Sequence, residues 1–182
     1  MTVDLKKIED ERKAHGIDDF IVKLDHVAYR VKQGEREKLM GELMTMLPYR
    51  LDKTFNVVTA NAITISLKLG ETLPVIVISE GQSEDSIVEK YCREFGSRVH
   101  HLAYEVTDID KVVEIQMERG IKFTTDKIIG SVEEGIKQIF SLPTETSNHI
   151  IEYIQRFGDF AGFFTPSNID GLMKSTEKLG EH

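Results

Sequence analysis

Of the 182 residues only Cys92 is a cysteine. No internal disulfide can form, and the lone thiol, with no motif around it, reads as a packed and inert side chain. Positive charge is also scarce: 23 Lys and Arg stand against 31 Asp and Glu, a formal charge of −8. Holding a nucleic-acid backbone takes clustered cations, so a nucleic-acid partner is excluded. No stretch approaches the roughly 18 to 20 apolar residues of a membrane span. The opening MTVDLKKIEDERKAHG carries no apolar core of signal-peptide length. The expectation is a globular protein of a reducing, cytoplasmic compartment, with neither nucleic acid nor membrane as partner.

What the chain does have is a repeat. LDHVAYRV (Leu24 to Val31) returns 75 positions later as VHHLAYEV (Val99 to Val106), with four of eight positions identical, His26 on His101 among them. Both runs alternate as half-buried strands do, and His26, Ala28 and Arg30 share one face. A helix over Glu35 to Leu47 follows the first copy, then strands at Phe55 to Thr59, Ala62 to Leu69 and Pro74 to Ser79. Ser83 to Phe95 reads as a linking helix. After the second copy come a helix from Asp108 to Arg119 and strands near Lys122 to Thr124, Ile136 to Leu142 and His149 to Gln155. Ser167 or Asn168 would cap a last helix, Ile169 to Lys178. The organisation expected is a helical arm (1–20), a first module (21–82), the linking helix (83–98), a second module (99–157) and a closing helix (158–182). Duplication with this element order predicts an α+β fold, paired βαβββ modules whose curved mixed sheet surrounds a cleft.

One residue breaks the last strand's pattern. Glu152 sits among Ile150, Ile151, Tyr153 and Ile154, and a carboxylate unpaired among apolar neighbours costs several kcal/mol. A cation would remove that cost, and so would Arg156 on the same strand face. His26, His101 and Glu152 form a set of two imidazoles and one carboxylate, which with open positions suits Fe(II) and also accepts zinc, cobalt, nickel or manganese. A single strand histidine is more often a core residue than a ligand; two at matching places of a repeat reverse that judgement. Ala28 and Ala103 each lie two residues from their histidine on the same face, leaving room for a ligand. A one-residue shift would present His100 instead of His101, and the repeat alignment favours His101.

LDHVAYRV, RVHHLAYEVTDID and HIIEYIQRFG together resemble the vicinal oxygen chelate superfamily, which includes glyoxalase I, methylmalonyl-CoA epimerase and 4-hydroxyphenylpyruvate dioxygenase. The resemblance covers residues 21 to 178 and implies the paired βαβββ fold with a divalent metal on His26, His101 and Glu152. The C-terminal half is most similar to the catalytic domain of 4-hydroxyphenylpyruvate dioxygenase. KQIFS, IIEYIQRFG and GFFTPSNIDGLMKSTE match its strands and closing helix, and imply catalytic roles for Gln138, Phe164 and Asn168. PVIVISEGQSEDSIVEKYCREFGSRVHHLAYEV resembles the epimerase, but the epimerase's fourth ligand falls on Val77 or an aliphatic neighbour. The resemblance thus implies an iron dioxygenase acting on an anionic α-keto acid. A lyase or epimerase is the alternative, with Glu80 or Glu105 as its base. A non-enzymatic small-molecule binder of the same fold is the third reading, and a homodimer is compatible with each.

Overall fold

The computed structural model describes residues 3–158 and 164–177. The closing-helix expectation therefore falls partly outside the described residues, as does Lys178.

Helix α1 (Leu5–Ala14) buries no side chain and is capped by Asp4, whose carboxylate accepts from the Lys7 amide. The first module runs β1 (Ile21–Val31), α2 (Arg36–Met46), β2 (Arg50–Val57), β3 (Ala62–Lys68), β4 (Val75–Gly81). Helix α3 (Ile87–Phe95) leads to the second: β5 (Arg98–Val106), α4 (Ile109–Glu118), β6 (Ile129–Ser131), β7 (Ile136–Phe140), β8 (Ile150–Arg156). Helix α5 (Pro166–Ser175) follows. The eight strands form one sheet in the order β2-β3-β4-β1-β5-β8-β7-β6. Each module contributes four strands in mirrored order, and the repeated strands β1 and β5 pair antiparallel at the centre. The two copies of the histidine strand are therefore neighbours.

Alternation splits the residues between two faces. On one, Val31, Ile65, Leu67, Ile76 and Ile78 pack beneath Leu39, Met40 and Leu43 of α2. In the second module Val106, Ile139 and Tyr153 meet Ile109, Val112 and Ile115 of α4. The opposite face carries His26, Ala28, Ala103 and Glu152, and α5 crosses it, touching β6 and β7 of one module and β2 of the other. Cys92 is buried against Val57, Ala60 and Ala62, and burial raises its thiol to about 12, which keeps it protonated and inert.

Several boundaries differ from the sequence reading: α3 starts at Ile87 instead of Ser83, and α5 at Pro166 instead of Ile169. Strand β2 begins at Arg50, because an edge strand tolerates the exposed Arg50 and Asp52 and the half-buried Lys53 that look like a loop. Phe123 makes only an isolated bridge to Ser141, and the second module's outer strand is Ile129–Ser131 instead of Lys122 to Thr124. Thr165, not Ser167 or Asn168, caps α5: its hydroxyl accepts from the Asn168 amide at 3.3 Å.

The outer strand depends on a glycine. Gly130 has φ +95°, and a Cβ there would lie 2.2 Å from the Ile136 carbonyl and 2.9 Å from the Asn168 amide nitrogen. Gly130→Ala is expected to lose about 2 to 4 kcal/mol through strain and overpacking. The check is a urea midpoint shift at constant slope; an unmoved midpoint contradicts it.

Candidate metal centre

The β1–β5 register brings His26 opposite Ala103 and Ala28 opposite His101, while the β5–β8 register sets Ala103 beside Glu152. The two alanines are the small residues between the three large polar ones. His26 Nε2 lies 3.2 Å from His101 Nε2 and 3.2 Å from Glu152 Oε2, and His101 Nε2 lies 3.3 Å from the same oxygen. An ion ~2.1 Å from three donors, at angles of about 90 to 109°, separates them by about 3.0 to 3.4 Å. The triangle has that size. Among the described residues this is the one His, Cys, Asp and Glu cluster of metal-binding geometry. Glu152 Oε2 is buried, makes no hydrogen bond, and faces the two imidazoles. A buried carboxylate oxygen shared by two imidazole nitrogens fits a cation.

Each histidine is held from behind by the residue before it. Three register shifts interrupt the β1–β5 ladder; one skips Asp25 and another skips His100. A bulge re-aims a side chain that alternation would send to the other face. Asp25 Oδ1 thereby accepts from His26 Nδ1 at 2.8 Å, and His100 Nδ1 meets His101 Nδ1 at 2.8 Å. Both contacts occupy Nδ1 and leave Nε2 pointing at the centre. Asp25 is itself fixed by Arg156, whose Nε and Nη2 donate to it at 3.1 and 2.9 Å. Arg156 therefore pairs with Asp25 rather than neutralising Glu152. Gln138 Nε2 donates to Glu152 Oε1 at 2.6 Å.

The charges follow from this packing. Burial alone would depress the His26 imidazolium, but the Glu152 and Asp25 carboxylates outweigh it and raise it to about 9. His101 is pushed well below its ordinary value, by burial first and then by His26 and Arg30. His100 is lowered too, by burial, Arg30 and His101. Burial opposes ionisation of Asp25, yet the hydrogen bonds from His26 and Arg156 hold its pKa below the ordinary carboxylate range. A proton on His26 thus stands where a cation would.

A cleft opens from the centre, bounded by Phe140, Phe164, Leu172 and Met173. Phe164 packs edge-on against the His26 ring at 5.3 Å between centroids. Asn168 is buried and donates to the Ile136 carbonyl at 3.5 Å, tying α5 to β7. Val77 lines the cleft as well. Glu80 instead accepts from the Gly34 and Arg36 amides at the start of α2, and Glu105 pairs with Lys23. Neither lies at the centre. Sequence reasoning does not assign roles to Asp25 and His100; their signal is a polar residue before each repeated histidine.

The profile of the glyoxalase/bleomycin resistance protein/dioxygenase superfamily matches residues 22–140, more than half of the chain. The chain belongs to this superfamily. The match includes His26 and His101 and ends before Glu152. Superfamily structures of the same fold include a methylmalonyl-CoA epimerase, 22% identical over 77% of this chain and 99% of its own, with TM-score 0.62. The epimerase of Mycobacterium tuberculosis is 18% identical over 78% and 92%, with TM-score 0.63. A triple mutant of 4-hydroxymandelate synthase from Streptomyces coelicolor is 21% identical over 86% of this chain, with TM-score 0.71. The chain spans about half of that synthase, 53%. No curated protein matches. At these identities the likeness to the superfamily's solved structures establishes the fold. Among the described residues no helix is long and apolar enough to cross a membrane.

Asp25 offers a test of the centre's outer layer. Asp25→Asn should weaken zinc binding about 10- to 100-fold, the usual cost of losing a ligand histidine's partner. Competition titration with a chelating dye measures it, and an unchanged affinity counts against the arrangement.

Proposed function

We propose that the chain is a mononuclear metal enzyme in which His26, His101 and Glu152 bind Fe(II), and that it oxidises an anionic α-keto acid with O2, as 4-hydroxyphenylpyruvate dioxygenase does. The observation that carries this reading is a three-donor face with an aliphatic residue, Val77, where a fourth ligand would stand. Bound iron would supply keto-acid chelation and oxygen chemistry at its vacant positions. The protein's residues do the rest. Asp25 and His100 fix the two imidazoles, Gln138 holds the carboxylate, and Phe164 shields the centre from water. Asn168 keeps α5 over the cleft, and Gln138 Oε1, buried without a hydrogen-bond partner, is left for a ligand.

A lyase or epimerase on the same metal needs a base beside the substrate α-carbon. Glu152 is the single carboxylate among the described residues lining the cleft, and it faces the two histidines, which favours the oxidative reading. Loading the protein anaerobically with Fe(II), then adding O2 and a panel of α-keto acids, should release CO2 as O2 is consumed. No CO2 from any keto acid, with solvent deuterium entering an acyl-CoA without O2, would transfer the assignment to an epimerase. Ligand affinity and structure fully retained in metal-free protein would point to a non-enzymatic binder.

A further inference from the structure

Four residues beyond His26 on the same face of β1 lies Arg30, roughly 13 Å along the strand at ~3.3 Å per residue. It is buried, 3% exposed, and lines the same cleft. Its Nη2 donates to Thr176 Oγ1 at 2.7 Å and reaches Met173 Sδ at 3.6 Å, both next to or within α5. Its guanidinium carbon stands 5.2 Å from the centre of the Tyr91 ring. Nη1 has no hydrogen-bond partner, and no carboxylate among the described residues pairs with the charge. Burial lowers Arg30 to about 10, so it stays cationic at neutral pH. A buried cation without an anion is costly, and a guanidinium that shows this in a ligand cleft awaits one.

A second donor lies beside it. If His101 gives Nε2 to a metal, its Nδ1 carries the hydrogen and donates to His100 Nδ1 at 2.8 Å. His100 must then carry its own hydrogen on Nε2, which is buried without a partner. Metal ligation at His101 thus makes His100 a donor, and His100 lines the cleft with Arg30. Across the sheet, Arg30 pairs with Ser79 and Ser79 with Thr64, extending a polar row from the same position. The Thr64 and Ser79 hydroxyls bond each other at 2.8 Å.

We propose that Arg30 and His100 Nε2 bind a carboxylate at the far end of the substrate, so that the keto acid this cleft takes is a dicarboxylate. This rests on the metal reading for the substrate's other end and for the His100 tautomer. One guanidinium charge matches one carboxylate, and its planar fork suits that group. A phosphate dianion would leave excess charge among apolar walls. Arg30 selects the substrate and is not a catalytic residue. Its bond to Thr176 also means that binding at Nη1 is felt by α5.

Calorimetric titration of zinc-loaded protein, which cannot turn over, with oxaloacetate, 2-oxoglutarate and 2-oxoadipate against 2-oxobutyrate tests this. At least one dicarboxylate should bind about tenfold or more tighter than 2-oxobutyrate. Arg30→Met should bring that ratio to about one, and Arg30→Lys should restore part of it. No preference in the wild type, or a preference surviving in Arg30→Met, overturns the proposal; the wild-type ratio decides alone if the variants fail to fold. In parallel, glutarate should raise the melting temperature of metal-free wild type more than butyrate does. If zinc does not bind, the metal reading fails and the glutarate arm still judges Arg30: equal effects of glutarate and butyrate overturn it.

Discussion

Replacing Glu152 by Gln is expected to lower zinc or iron affinity at least about 100-fold, beyond the 10- to 100-fold typical of outer partners. Glu152 is the one anion facing the two imidazoles, and its Oε2 is the atom they share at 3.2 and 3.3 Å. Glutamine keeps the volume, and the neighbouring Gln138 still has an amide oxygen to meet, so the fold should persist. What disappears is the charge that offsets a dication in a buried place. Thermal unfolding reads this without turnover. Wild-type protein at a hundredfold excess of metal over its dissociation constant gains about 2.7 kcal/mol, a rise of roughly 5 to 10 °C for a chain this size. Glu152→Gln at the same metal concentration should gain almost none. Equal gains in the two proteins would mean that the metal sits elsewhere.

Metal affinity should rise about tenfold per pH unit from pH 7 to 9 and then level off. The sign comes from competition for His26 Nε2. Glu152 and Asp25 raise the metal-free imidazolium to about 9 against its burial, so below that pH a proton must leave before a metal enters. His101 is lowered well below its ordinary value and does not compete in this range. Near pH 7.5, binding should release about one proton per ion from His26. Calorimetry in two buffers of different ionisation enthalpy counts that proton. Affinity flat with pH, with no proton released, would contradict the electrostatic picture. The same shift works on the metal-free fold in the opposite sense. A raised histidine contributes stability that is whole below about 6.5 and fades as pH climbs through 9.

The central strands were legible because their chemistry is periodic. Ile21–Val31 can be bounded from alternation alone, and the copied histidine places β1 and β5 in one sheet with a common face. Glu152 is legible as a misfit, a charge in an apolar strand. The outer strands are harder. Arg50 to Lys53 is polar because it lies at a sheet edge, and Ile129–Ser131 is three residues long with a glycine at its centre. Neither carries enough pattern to separate strand from loop. The bulges at Asp25 and His100 are invisible to a period-two reading, which assigns both side chains to the wrong face. Arg156 shows the same limit: the strand face is read correctly, but its partner, Asp25, is 131 positions away and fixed by sheet register.

A crystal of zinc-loaded protein, measured at the zinc absorption edge, addresses the central claim most directly. One anomalous peak should appear ~2.0 to 2.2 Å from His26 Nε2, His101 Nε2 and a Glu152 carboxylate oxygen. A stoichiometrically loaded protein whose peak lies away from these three side chains would contradict the account.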